Sequence, residues 1–465
     1  MARGKKKETL TPEERLQATL VPESEQPYPV PGNWCWVKGG TISKVKGGKR
    51  LPKGRTFLEE KSDYPYIRVT DFDNESICIE NVKYIDSDTH MMIKNYTISS
   101  ADIYISIAGT IGKVGIIPEE LEGANLTENA AKITDINGAY QLYLMLFLKS
   151  EVAQNQMKDS TISTTQPKLA LFRIEDILLP LPPFSEQQRI VNRIESLFAK
   201  LDEAKQKAQD ALGGFETRKA AILHKAFTGE LTAKWRKEHG VGMETWSSCK
   251  LIDILVEKPR NGYSPKPVDY VTACKSMTLS ATTTGVFKPE FFKYIDEEIP
   301  ENSHLWLTPG DILIQRANSL EKVGMSAIYT GAEHEFIYPD LMMKLTVKGP
   351  NNKHYIDYYL KTDEILNYFR SNATGTAGNM PKINQKVVSE TPLILPETQE
   401  QAEIVRLLDD LLAREQQAKE AAEGVLEQID LIKKAILALA FRGELGTNDP
   451  SEESAVELLK QISSC

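Results

Sequence analysis

Apolar residues recur at alternating steps of four and three along two stretches of the chain. The first passes through Ile190, Ile194, Leu197, Leu201, Ala204, Ala208, Ala211, Phe215, Arg218 and Ile222. The second passes through Ile404, Leu408, Leu411, Glu415, Ala418, Ala422, Val425, Ile429, Ile432 and Ile436. This is the a/d pattern of a coiled-coil seam, with one charged intruder in each copy. Ser185-Glu-Gln-Gln188 follows Pro182-Pro183. Proline cannot continue a preceding element and serine is a good N-cap, so the pattern predicts that a helix starts there. Both runs end in Phe-x-Gly-Glu-Leu, at 227–231 and 441–445, with Gly229 and Gly443 expected as C-terminal caps. Each helix would hold about 40 residues and span about 60 Å. Gly213-Gly214 interrupts the first, at about 1–2 kcal/mol relative to alanine. Glu427 and Gln428 take the matching places in the second, so a continuous or mildly kinked helix is expected. Two seams of equal length more simply pack on each other than separately. An antiparallel intramolecular pair is expected, with Ile190, Ile194, Leu197, Leu201, Phe215 and Ile222 facing Ile404, Leu408, Leu411, Val425, Ile429 and Ile436.

These helices belong to a longer repeat. LPLPPFSEQQRIV at 179–191 returns as LILPETQEQAEIV at 393–405, about 214 residues later, and about 22 of about 53 ungapped positions are identical through residue 445. The segments before each helix are also related. The first carries strand-like runs at 64–72, 101–109, 113–118 and 130–136, then a helical stretch at 140–157. The second carries them at 269–273, 310–318, 322–329 and 341–347, then a helical stretch at 354–369. Asp102-Ile matches Asp311-Ile, Lys113-Val-Gly matches Lys322-Val-Gly, and Pro167-Lys168 matches Pro381-Lys382. Scaffold positions persist while loop positions change hydrogen-bonding type. The expected fold class is α+β: two mixed α/β domains separated by two long helices, pseudo-two-fold symmetric. The expected boundaries are a flexible polar leader over 1–27, domains over 28–182 and 247–396, and helical spacer regions over 183–246 and 397–465.

Composition narrows the function. The 465 residues carry a net charge of −9, and by count about eight of those charges fall in 396–465. Lys38–Phe57 holds about seven cations and no acid, a phosphate-facing patch by composition. No apolar run is long enough to cross a bilayer and the first residues lack an apolar signal core, so a cytoplasmic protein without a membrane partner is expected. Five scattered cysteines and six histidines show no metal-ligand spacing, so no metal site is expected. Catalytic motifs fail on chemistry. Leu181-Pro-Pro-Phe184 has the prolines and aromatic of a base-methylating loop, but leucine cannot accept a hydrogen bond from an amine. Gly109-Thr-Ile-Gly-Lys-Val-Gly115 lacks the Ser/Thr after lysine that a P-loop needs and reads as a turn between strands. Pro339-Asp340 with Lys344 has no second acid to complete a nuclease core.

With its proline-led Glu-Gln helix and Phe-x-Gly-Glu-Leu end present twice, the chain resembles the specificity (S) subunit of type I restriction–modification enzymes. LPLPPFSEQQRIVNRIESLFAKLD (179–202), HKAFTGELTAKWR (224–236), ILPETQEQAEIV (394–405), ALAFRGELG (438–446) and ADIYISIAGTIGKVGII (101–117) carry the resemblance. It implies a non-catalytic subunit with two target-recognition domains, each reading one half of a bipartite site in double-stranded DNA. It implies helices that act as spacer and docking surface for two methyltransferase subunits, joined in the full complex by restriction (translocase) subunits, as used in phage defence. S-adenosylmethionine is expected on the methyltransferase subunits, and no cofactor in this chain. Polar, cationic and planar loop residues are the candidates for DNA contact. In the first domain these are Lys46, Lys49, Arg50, Lys53 and Arg55 for phosphates, with Thr164, Thr165, Gln166 and Lys168 nearer base edges. In the second they are Arg260, Tyr263, Lys266, Arg316, Asn318, Asn379 and Lys382. The alternative is a coiled-coil protein scaffold without DNA readout.

Overall fold

The structure, a computed structural model, describes residues 12–159, 167–375 and 380–463. The chain divides into two compact units, one of Met1–Lys207 with Gly424–Cys465 and one of Ala208–Glu423. Each contains a mixed α/β domain, the beginning of one long helix and the end of the other, and its own cores.

In the first unit, strands Lys44–Gly47, Ala130–Thr134, Ile103–Ser106 and Val114–Ile116 form an antiparallel sheet in that order. Side chains on successive strand residues point to opposite faces. Ile103, Ile105 and Ile107 therefore pack with Tyr143 and Phe147 of helix Gln141–Lys149. Tyr104 packs on the other side with Ile67 and Leu126 of a second sheet and with Phe72 of the short hairpin Phe72–Ile77. That sheet has the order Lys83–Tyr84, Pro65–Ile67, Ala124–Leu126, Thr97–Ile98, with the middle pair parallel. The strands Cys35–Lys38 and Leu178–Leu181 pair antiparallel where the chain enters and leaves the domain.

The second unit repeats this plan. Arg260–Asn261, Met342–Leu345, Ile312–Gln315 and Ser326–Ile328 form the antiparallel sheet in the same order. Ile312 and Ile314 pack with the helices, and Leu313 packs on the other side with Phe336 of a second sheet and with Tyr338 just after it. Ser247–Lys250 pairs with Pro392–Leu395 at the chain's entry and exit. Asp102 and Asp311 head equivalent strands. Each accepts from the amide three residues earlier and has a half-buried lysine beside it: Lys132 donates to Asp102 at 2.9 Å, and Lys344 forms a 3.8 Å ion pair with Asp311. The segment 269–273, expected as a strand, instead links strands Pro267–Val268 and Cys274–Met277, which both pair with Phe292–Ile295. Tyr270 and Val271 are exposed there, so their β-propensity has no core to serve.

The first long helix runs Phe184–Gly213 and, after Gly214, Phe215–Phe227; the second runs unbroken over Thr398–Phe441, about 66 Å at 1.5 Å per residue. Gly214 keeps helical dihedrals and its amide still donates to Asp210, so the double glycine loosens the helix without ending it. Gly229 and Gly443 adopt φ of +82° and +77°, the left-handed geometry of a helix end.

Within each unit the two helices run antiparallel. In the first, Ile190 and Ile194 pack in the domain core with Leu437, Ala440 and Phe441, and Lys433 reaches Asp202 at 2.6 Å. In the second, Ile222 and Leu223 meet Ile404, Leu408 and Leu412, and Arg218 reaches Glu415 at 2.8 Å. The two charged intruders of the heptad pattern are thus each other's partners. Leu197, Leu201, Phe215 and Leu411 are partly buried, and Ile429 and Ile436 are buried. Val425 is a correction: it is 41% exposed, as Ala418 and Ile432 also are on that face. The inward face there is Lys419, Ala422, Leu426, Ile429, Lys433 and Ile436. A straight helix drifts by about 20° per heptad against a strict seven-residue repeat, enough to turn the flanking position outward. Lys419 and Lys433 lie over Phe215 and Phe198, so their stems cover apolar surface.

The leader is also corrected in part. Residues 12–27 are folded: Pro12–Thr19 is a helix, Leu16 is buried in the first core, and the Val21 amide donates to Trp36. Residues 1–11 lie outside the described residues.

The repeated Glu-Gln pair is a latch. Glu186 and Gln187 are buried, as are Glu400 and Gln401. Trp34 Nε1 donates to Glu186 at 2.8 Å, and Trp246 Nε1 donates to Glu400 at 2.9 Å. Gln187 accepts from the Tyr140 amide, and Gln401 accepts from the Asn352 amide. Each pair ties a helix start to its domain's first strand and to the loop before its helical stretch. The second acceptors differ. Glu400 binds Arg236 and Thr232, both at 2.6 Å. Glu186 has the Asn448 amide at 2.9 Å and no cation in direct contact among the described residues, and burial pushes its carboxyl above the usual range.

Candidate nucleic-acid interface

Four chain segments meet at the edge of each antiparallel sheet. In the first unit, the loop after strand Lys44–Gly47 passes close under the segment before strand Ala130–Thr134. A Cβ on Gly48 would stand 2.1 Å from the Thr127 carbonyl oxygen, so only glycine fits. The Lys49 amide donates to Leu126, and Arg50 Nε reaches Glu128 at 3.0 Å. The Ile107 and Ala108 amides donate to Asn129, and the Leu169 amide donates to Ile107, which places Lys168 beside them.

The second unit builds the same crossing from different side chains. A Cβ on Gly262 would stand 2.2 Å from the carbonyl oxygens of Tyr338 and Pro339. The Tyr263 amide donates to Tyr338, and Ser264 Oγ donates to Asp340 at 2.5 Å. The Arg316 and Ala317 amides donate to Leu341, and the Ile383 amide donates to Arg316, which places Lys382 where Lys168 stands in the first unit. Arg316 Nη1 also donates to the Asp340 carbonyl at 3.2 Å.

The structure therefore gathers Lys49, Arg50 and Lys168 in one unit and Tyr263, Arg316 and Lys382 in the other. Other candidates are engaged elsewhere. Lys46 pairs with Asp135 at 3.6 Å, and Arg55 with Asp86 at 3.5 Å. Arg260 pairs with Glu257 at 2.6 Å. Lys44 holds the Asp135 carboxyl below its usual range, with Lys46 adding to it. The segment that is acid-free in sequence is thus largely neutralised by carboxylates from elsewhere in the chain. Lys53 is exposed, and no ion pair forms at Lys49 or Lys53 among the described residues. Lys49 lies over the Tyr96 ring, 5.5 Å from its centroid.

Lys266 is exposed on the loop beyond Ser264. The Asn318 side chain is turned to its own loop, donating to Gln315 at 2.5 Å and accepting from the Ser319 amide at 2.7 Å. Thr164, Thr165, Gln166 and Asn379 lie outside the described residues.

Sequence reasoning passed over Glu128 and considered Asp340 only for a nuclease core, yet a comparison of the repeats signals both as members of the crossings. Thr127-Glu-Asn129 and Pro339-Asp-Leu341 hold an acid at the same place. The glycine-rich segment 109–115 is the hairpin turn between strands Ile103–Ser106 and Val114–Ile116, with Gly109 and Gly112 left-handed. Asp340 and Lys344 have separate partners, Ser264 and Asp311. Among the described residues no metal-holding cluster forms, and no helix is long and apolar enough to cross a membrane.

The family of type I restriction modification DNA specificity domains matches the chain twice, over residues 31–211 and 243–424. The specificity subunit of the type I restriction enzyme EcoKI from Escherichia coli (strain K12) is 24% identical over 450 residues, covering 93% of this chain and 95% of that one. The StySPI specificity subunit of Salmonella potsdam is 22% identical over 464 residues, covering 93% and 95%. Two solved structures share the fold. The HsdS subunit from Thermoanaerobacter tengcongensis aligns with a TM-score of 0.62 at 19% identity, over 90% of this chain and all, 100%, of that one. A chain solved in work on complex assembly and conformational transition of the type I R-M system gives 0.65 at 20% identity, again over 90% and 100%.

Proposed function

Because the chain belongs to the type I restriction–modification DNA specificity family, we propose that it reads a bipartite site in double-stranded DNA, one domain per half-site. Its relatives are specificity subunits, and the chain has the same non-catalytic role. The observation that carries the two-domain reading is the paired crossing. One backbone frame presents Lys49, Arg50 and Glu128 in one unit and Tyr263, Ser264 and Asp340 in the other. Phosphate contact fixes register, and base edges are distinguished by donor and acceptor pattern. Lys49, Lys53, Lys168, Lys266 and Lys382 are the phosphate contacts in this reading.

The long helices set the unread gap between half-sites and dock the methyltransferase subunits, which bring S-adenosylmethionine; restriction subunits join that complex in the cytoplasm. The second helix exposes Asp409, Asp410, Glu420, Glu423, Glu427 and Asp430. Phosphates repel such a surface, whereas a protein partner with basic groups complements it.

Insertion of about one helical turn after Ala208 tests the spacer. The gap between half-sites shifts by about one base pair, read by sequencing modified bases, and both half-sites stay unchanged. Altered half-sites with an unchanged gap would contradict it.

A further inference from the structure

At each crossing stands a carboxylate, Glu128 or Asp340, where phosphate binding alone would favour none. A carboxylate facing DNA loses affinity for every sequence, since phosphates repel it and it releases no counterion. It gains only where a base offers a donor. In the major groove the contact suited to Asp or Glu is the cytosine N4 amine.

Several observations set these two acids apart from other surface carboxylates. They occupy equivalent places, one residue before the carbonyl that receives two consecutive amides, Ile107 and Ala108 onto Asn129 and Arg316 and Ala317 onto Leu341. Each is held across the crossing by the second residue after the buried-approach glycine, Arg50 on Glu128 and Ser264 on Asp340. The Asp340 amide returns a bond to Ser264 Oγ at 3.1 Å, so the second pair is closed on itself. Around Glu128 the groups Arg50, Tyr66, Arg68, Thr70 and Asn129 line an open recess of about 370 Å³, with donor and acceptor chemistry at its rim. Arg50 is 77% exposed along its side chain and Glu128 28% exposed, so the acid is fixed and the arginine is free to turn.

Resting on the DNA reading above, we propose that Glu128 and Asp340 are the specificity-determining acceptors of the two domains, each taking a cytosine amine in its own half-site. Arg50 and Ser264 are positioning residues that hold the acid before DNA arrives. Arg50 in addition can leave Glu128 for a guanine edge or a phosphate, whereas Ser264 is too short to leave. The two half-sites therefore differ in what surrounds the cytosine.

The test uses the assembled complex of the full chain with its methyltransferase subunits, selecting duplexes from a randomised library. The variants are Glu128→Gln and Asp340→Asn, because an amide pairs with adenine instead. Glu128→Gln lowers the preference for cytosine at one position of one half-site about tenfold or more, in favour of adenine. The other half-site is untouched, and Asp340→Asn does the same in the other half. The double change Arg50→Ser with Glu128→Asp installs the second pair in the first domain and alters the first half-site alone. Thermal melting of each variant confirms that the complex is folded. An unchanged consensus in folded variants overturns the proposal. A uniform weakening of all sequences also overturns it, since that marks a phosphate-facing or structural role. If the wild-type complex enriches no sequence, the DNA reading itself fails.

Discussion

In the first domain Gly48 passes under the carbonyls of Leu126 and Thr127 and delivers Lys49 and Arg50 to Glu128. In the second, Gly262 passes under Tyr338 and Pro339 and delivers Tyr263 and Ser264 to Asp340. The backbone bonds are the same and the side chains are not. What persists between the copies is what the sheet edge needs: a residue without a Cβ, amides at fixed places, and an acid on the facing loop. What changes is the set of groups a ligand would meet. The latches show the converse. Their outward role is the same, yet the buried carboxylate is balanced by Arg236 in the second unit and only by neutral donors in the first. A shared frame thus tolerates two electrostatic solutions in its core.

The largest effect that would sharpen this comparison lies in the latches. Glu400→Gln leaves Arg236 buried without its charge partner and costs about 3–5 kcal/mol of stability, measured by urea unfolding. Glu186→Gln keeps an acceptor for Trp34 and strands no cation, so it costs less than about 1 kcal/mol. The Glu186 carboxyl is raised in the folded state by burial, so the folded protein holds that proton more tightly than the unfolded chain. Its contribution is fully present at acid pH, below the unfolded value, and is lost as pH rises through the folded value. Glu186→Gln removes that part of the pH dependence. Equal costs for the two substitutions would deny that the latches differ.

Next come the glycines. Gly48→Ala and Gly262→Ala each force a Cβ into a carbonyl oxygen and cost about 1–3 kcal/mol, seen as a shift of the unfolding midpoint. A cost at only one position would break the equivalence of the two crossings. DNA contact follows. Lys49→Ala and Lys53→Ala each reduce the slope of binding against salt concentration by about one, whereas Lys46→Ala, already neutralised by Asp135, changes it by less. The smallest effect belongs to Arg218 and Glu415. A double-mutant cycle on this half-exposed pair returns about 0.2–1 kcal/mol, so the pair sets register more than stability.

Apolar periodicity located the long helices, because a seam of leucine and isoleucine repeats wherever two helices touch. It misplaced Val425, because small residues in the middle layers give little to choose between neighbouring faces. Arg218 and Glu415 looked like defects, since a one-dimensional pattern cannot show that two intruders meet. The same limit applied to the site. Cations clustered in 38–57 are visible in sequence, but Asp135, Asp86 and Glu128, which answer them, come from other elements. The residues at 269–273 had strand composition without a core to face. The acids at the two crossings, Glu128 and Asp340, were legible only through the repeat.

The central claim is that each domain reads its own half-site on a common frame. It is tested most directly by replacing residues 247–396 with residues 33–182, so that one chain carries the first reading domain twice, and sequencing the bases modified in cells that express it with its methyltransferase partner. The account predicts a modified site that contains the first half-site twice. Persistence of the original second half-site would contradict it.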